Sequence, residues 1–171
     1  MPFPVPCLAF MGLALLWAAL SDLRRRRIPN VVTALLFGGG LLVRGFSLGA
    51  WPALSGLVAS LAVLFVLYVP WSAGRLGGGD VKLAAATAAW AGLDGLLAFA
   101  LGTAIAGGAV SVVCYLVARP AARADVRATV TLAVLHGEMP SIPAQRAGHP
   151  SVPYAVAIAA GAAVTIFVTR W

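Results

Sequence analysis

The chain has 171 residues, of which 61% are hydrophobic and only 10% charged, with a net charge of +7 at pH 7 and a mean hydropathy of +0.97. A soluble domain carries roughly 25% charged residues, so this composition excludes a water-soluble globule: lipid must solvate apolar surface that no core of this length can hide. In such a chain the basic excess reads as membrane topology, not as nucleic-acid binding.

Apolar runs of crossing length, roughly 17 to 25 residues, predict an all-α polytopic membrane protein with about six transmembrane helices, a single domain over residues 1–171. The first run, about 3–20, has no positive charge ahead of it, unlike a secretory signal. It reads as a retained span with the N-terminus outside. It leads into "SDLRRRRIPN", where Asp22 opens a polar loop and Pro29 and Asn30 start the next helix. The second run, about 31–50, is interrupted late by Arg44, which is expected to snorkel to the interface. The third, about 53–71, leads to "GRLGGGDVKLAAA", in which Gly77, Gly78 and Gly79 discourage regular helix just ahead of Asp80. The fourth starts at Val81 and reaches "GLDG" at 92–95; its roughly 13 residues cover only ~20 Å. The fifth is about 96–118 and the last about 152–169.

Between the last two runs lies the longest hydrophilic piece, 119–151. Val126, Val130, Ala133 and Val134 recur there at helical spacing beside Arg123 and Arg127, which fits either a helix on the lipid surface or a plain connecting loop. His136 and His149 lack metal-ligand spacing, and Cys7 and Cys114 read as packing residues inside apolar runs. Neither a metal nor a cofactor is expected.

With the N-terminus outside, the inner loops hold Arg24, Arg25, Arg26, Arg27, Arg75, Lys82, Arg119, Arg123, Arg127 and Arg146, against Arg44 and Arg170 outside. This bias satisfies the positive-inside rule. The arginine run then fixes topology and meets anionic lipid. Small residues crowd the runs ("FGGGLL", "AAATAAWAG", "GTAIAGGAVS", "AIAAGAAV"), as close helix packing in lipid requires; a pore lined by small residues is the alternative.

An even number of crossings separates Asp22 from Asp80, so both lie at one membrane face and at similar depth. Asp94 falls on the other side, and Asp125 and Glu138 lie in the polar segment. Two carboxyl groups in close approach cannot both ionise cheaply and share a proton. The ionised member takes a proton from water as it attacks a carbonyl, and the protonated member donates to the carbonyl oxygen. A glycine loop would let an extended substrate approach the backbone, with positive φ available where a turn demands it. Taken singly, Asp22 also fits a solvated loop charge and Asp80 a helix N-cap. "GGGDVK" lacks the spacing of a phosphate-binding loop.

"SDLRRRRIPN" followed by "GGGDVKLAAA" resembles the type IV prepilin peptidases, membrane aspartic peptidases of the GxGD type, and most closely the compact form found in Cpa/Tad pilus systems. The residues concerned are Asp22 with Ile28, Pro29 and Asn30, then Gly77, Gly79, Asp80, Val81 and Lys82; the late "HPSVPYAVAIAAG" is similar to the family's last span. The resemblance implies a six-helix protease of the bacterial plasma membrane. It would cleave the basic leader from Flp-like prepilin or pseudopilin precursors at the cytoplasmic face. It also implies that Asp22 and Asp80 form the catalytic pair and that Gly77, Gly78 and Gly79 shape the active-site loop. Lys82 belongs to the motif, but two residues from Asp80 it points to another helix face and marks the interface. Larger family members carry paired CxxC motifs and N-methylate the product. With only Cys7 and Cys114 here, peptidase activity alone is expected. The rival reading is a small transporter or proton-coupled carrier using Asp22 and Asp80 as a relay, although a carrier would place an acid near the midplane.

Overall fold

A computed structural model describes residues 3–136 and 154–169, which form six α-helices and no strands. Helix α1 is Val5–Arg25, α2 Asn30–Leu48, α3 Ala50–Ser72, α4 Gly78–Val117, α5 Pro120–His136 and α6 Tyr154–Thr169. The chain is an all-α membrane protein. Among the described residues α1 to α4 are long and apolar enough to cross a bilayer, and α6 is apolar but shorter. Large apolar side chains such as Phe46, Trp51, Phe65 and Val117 stand exposed on the outer faces, where lipid takes the place of a core.

Local chemistry sets the ends of the helices. α1 stops at Arg26, which adopts a left-handed conformation (φ 50°). Pro29, with no N–H to lose, then opens α2. Gly49, at φ 106°, makes the tight reversal between α2 and α3.

The predicted fourth and fifth runs fall within α4, so the helices do not give six separate spans one for one. α4 is nonetheless broken at Gly92, whose φ of 63° and ψ of −178° belong to a region open essentially to glycine alone. The two arms, 78–91 and 93–117, run in opposite directions. Thr87 and Trp90 lie beside Ala162 and Thr165 of α6 around a shared small cavity, whereas Gly102 meets Val164 and Gly107 meets Ala157. α6 therefore lies parallel to the first arm and antiparallel to the second.

The first arm is the hub of the bundle. From Val81 to Gly92 every residue except Lys82 is buried, and α1, α2, α3 and α6 surround it. Its alanines allow that approach, and glycines on the neighbours complete it. A Cβ on Gly56 would lie 2.5 Å from the Ala89 carbonyl, and one on Gly40 2.7 Å from the Trp90 ring. Trp90 fills the space left by the glycines of α2 and donates its indole N–H to the Leu36 carbonyl at 2.7 Å. The small residues thus serve helix packing, as the sequence indicates.

Arg44 corrects an expectation. Instead of snorkelling it is buried, only 2% exposed, and closes the reversal at Gly92. Its guanidinium donates to the carbonyls of Pro52 (2.8 Å), Trp90 (2.9 Å) and Ala91 (3.2 Å), and pairs with Asp94 at 2.8 Å. The Trp90 and Ala91 carbonyls lie at the end of the first arm, where a helix leaves acceptors unfilled. On the other side of the break, the Leu93 N–H donates to Ser55 Oγ at 3.0 Å.

α5 settles the open choice for part of the hydrophilic piece: Pro120–His136 is helical, and residues 137–153 lie outside the described ones. Arg123 caps α4 through the carbonyls of Ala118 and Leu116, and Arg127 donates to the Tyr115 hydroxyl at 2.8 Å. Val126, Val130 and Val134 remain exposed. Cys7 and Cys114 are free thiols, both half-buried. The side chain of His136, and His149 altogether, fall outside the described residues.

Candidate active site

Asp22 lies in the last turn of α1 and Asp80 in the first turn of α4. Because α1 runs antiparallel to the first arm of α4, these turns meet at one end of the bundle. Both carboxyl groups are half-buried, and Asp80 lies within electrostatic reach of Asp22. Arg44 and Asp94 occupy the opposite end.

The surroundings of the two acids differ. The backbone N–H of Ala155, in the first turn of α6, and the charged Arg26 side chain lie near Asp22. Asp80 has no such donor: its Oδ1 is buried without a hydrogen-bond partner among the described residues. Two carboxyl groups placed near each other at one end of the bundle, one of them with a buried oxygen that has no partner among the described residues, can share a proton and offer both halves of acid–base chemistry.

The glycines act differently from the expectation. None of Gly77, Gly78 and Gly79 has positive φ, and the run does not prevent helix: Gly77 is the N-cap of α4, with φ −69°, and Gly78 and Gly79 are its first two residues. Their lack of side chains matters for space. A Cβ on Gly77 would lie 2.9 Å from Asp80 Oδ2, one on Gly78 3.2 Å from the Trp71 indole nitrogen, and one on Gly79 3.3 Å from Ile28 Cβ. Ile28, just ahead of Pro29, therefore packs against the helical turn that carries Asp80, which ties the two motifs together physically. The N-cap reading of Asp80 fails: the residue sits at the third helical position and makes no capping hydrogen bond.

Lys82 is exposed and donates to Asn30 Oδ1 at 3.3 Å. It joins the start of α4 to the start of α2 and has no contact with Asp80 of its own. Nothing in the sequence pointed to the Ala155 N–H, since a backbone donor has no side-chain signature; the only hint was that the last run opens at the same face as the acids. Among the described residues no group of three or more His, Cys, Asp or Glu side chains is placed to hold a metal ion.

Residues 9–112 match the family model described as the type IV leader peptidase family, a stretch that includes both Asp22 and Asp80. No curated protein and no solved structure matches the chain.

Proposed function

Because the chain belongs to the type IV leader peptidase family, we propose that it is an aspartic endopeptidase that removes the basic leader of Flp-like prepilin or pseudopilin precursors, with Asp22 and Asp80 as its catalytic pair. The observation that carries this reading is the meeting of two acids, distant in sequence, within electrostatic reach at one end of a membrane bundle.

In the proposed reaction a water molecule lies between the two carboxyl groups. The ionised one takes its proton as the water oxygen bonds to the scissile carbonyl carbon, and the protonated one gives its proton to the carbonyl oxygen. When the tetrahedral intermediate collapses, the C–N bond breaks and the leaving amine takes up a proton from the pair. The balance needs no metal and no covalent intermediate.

The arrangement in the membrane follows from charge. Arg24 to Arg27, Arg75 and Lys82 gather at the end that holds the acids, which makes that end cytoplasmic. Counting the two arms of α4 separately, with α1, α2, α3 and α6, gives six crossings of a bacterial plasma membrane in one peptidase unit, with the N-terminus outside. A carrier would want an acid near the midplane, but Asp22 and Asp80 share one end and Asp94 lies at the other.

The test is to reconstitute the protein in lipid vesicles with a full-length prepilin and weigh the products by mass spectrometry. A single cut just before the substrate's hydrophobic segment, releasing the basic leader, is the expected result. Intact substrate in the presence of well-folded protein would refute the assignment.

Gly77 provides a finer test. In Gly77→Ala the added methyl meets the far end of the Asp80 side chain, which can turn aside at little cost to the fold. Displacing a reacting group by about 1 Å costs on the order of 100-fold in rate. The variant should melt close to wild type and lose roughly 10- to 100-fold in cleavage; Gly79→Ala, which meets Ile28 instead, should lose less. Equal activity in wild type and Gly77→Ala would mean that the Asp80 carboxyl orientation is not critical.

A further inference from the structure

We propose that Trp71 and Tyr68, at the end of α3, hold a basic side chain of the leader by cation–π contact beside the turn that carries Asp80. This rests on the leader peptidase reading above and adds to it the residues that grip the leader.

Trp71 stands in the last turn of α3 and Asp80 in the first turn of α4. The two turns meet through Gly78: a Cβ there would lie 3.2 Å from the indole nitrogen of Trp71 and 3.8 Å from its Cδ1. The indole edge therefore lies against the turn of Asp80, and the middle glycine of "GGGD" leaves it the room. Tyr68 is three residues earlier, on the same side of the helix. Its ring centroid is 5.5 Å from that of Trp71, with the two planes at 50°. Neither ring fills the core: Tyr68 is 56% and Trp71 46% exposed. Trp90, by contrast, is 2% exposed and spends its N–H on the Leu36 carbonyl.

The charges at this end leave a basic leader few other holds. Arg24 to Arg27, Arg75 and Lys82 repel it. Asp22 and Asp80 would attract it, but a cation resident between two carboxyl groups favours ionisation of both, and the pair has to share a proton. The face of an aromatic ring attracts a cation through its quadrupole, most strongly for Trp, and adds no charge beside the acids. An extended chain advances about 3.3 Å per residue. A cation on a ring that borders the Asp80 turn therefore belongs to a residue only a few positions from the cut. Tyr and Trp also anchor helices at membrane interfaces, but that role is indifferent to the charge of the leader.

The test varies the ring face without varying its shape. Position 71 is filled, by nonsense suppression, with tryptophans of increasing fluorination, which withdraw negative charge from the face. Each protein is reconstituted in lipid vesicles with the full-length prepilin, its melting temperature is compared with wild type, and kcat and KM are measured. KM should rise stepwise, to about tenfold for the most fluorinated ring, with kcat and melting temperature little changed. Trp71→Leu should lose at least as much, and Tyr68→Leu less. The dependence should vanish for a prepilin in which the Lys or Arg that sits on the ring is replaced by Gln, found by replacing the leader cations one at a time.

A KM that stays constant across the fluorinated series would overturn the inference. So would a dependence that survives the replacement of every leader cation in turn, which would leave Trp71 as an interfacial anchor packed on Gly78. Failure of the peptidase reading itself looks different: the wild type would not cleave, or cleavage would survive the loss of either acid.

Discussion

Arg44→Met is expected to lose most of its folded protein, with a sharp drop in melting temperature in detergent and a rise in susceptibility to protease. Methionine fills a similar volume but donates nothing. The carbonyls of Trp90 and Ala91 would then end a buried helix without a donor, and the Pro52 carbonyl would lose its guanidinium partner. Each buried polar group left unsatisfied costs about 1–3 kcal/mol, and the total stability of a domain is only ~5–15 kcal/mol.

Lysine should rescue Arg44 only in part, because one ammonium cannot reproduce a planar fork that reaches several acceptors at once. Asp94→Asn should cost less than Arg44→Met: Asp94 is 66% exposed, and asparagine keeps an oxygen that can accept from the Arg44 guanidinium. A melting temperature for Arg44→Met close to that of wild type would mean that the reversal at Gly92 is held by packing alone. This matters for the site at the far end, because the reversal returns the chain to lie along α6. That contact helps fix where α6 begins, and α6 brings its N–H near Asp22.

Much of this arrangement can be read from the chain. The lipid-solvated composition, the placing of Asp22 and Asp80 at one face by counting crossings, the helix start at Pro29–Asn30 and the break near "GLDG" all follow from hydropathy, charge and proline or glycine chemistry. Three features were not legible, each for a physical reason. Arg44 reads as a snorkelling residue because a run of apolar neighbours does not reveal that two helix-end carbonyls and Asp94 lie beside it in space. The glycines of "GGGD" suggest backbone freedom, whereas Gly77 has an ordinary φ and matters through the volume it leaves to the Asp80 carboxyl group. The Ala155 N–H belongs to a backbone that looks, in sequence, like any other alanine of "YAVAIAAGAAV".

The second large effect concerns the pair itself. Asparagine keeps the shape of aspartate while removing its charge and its capacity to exchange a proton at neutral pH, so Asp22→Asn and Asp80→Asn separate chemistry from folding. Neither change opens a cavity, and each takes a charge out of a half-buried place where two acids lie near each other. Both variants should therefore reach the membrane and melt near or above wild type. Each should also lose cleavage almost completely, because half an acid–base pair cannot both activate water and protonate the carbonyl. In proteases whose residues act as a unit, removing one member costs roughly 10⁴- to 10⁶-fold.

Cleavage of a full-length prepilin by wild type, Asp22→Asn and Asp80→Asn at equal membrane abundance is accordingly the most direct measurement. The account predicts a correctly placed cut by wild type and none above background by either variant. Cleavage that persists in both variants would contradict it, and would leave Asp22 and Asp80 as structural acids at the end of a membrane bundle.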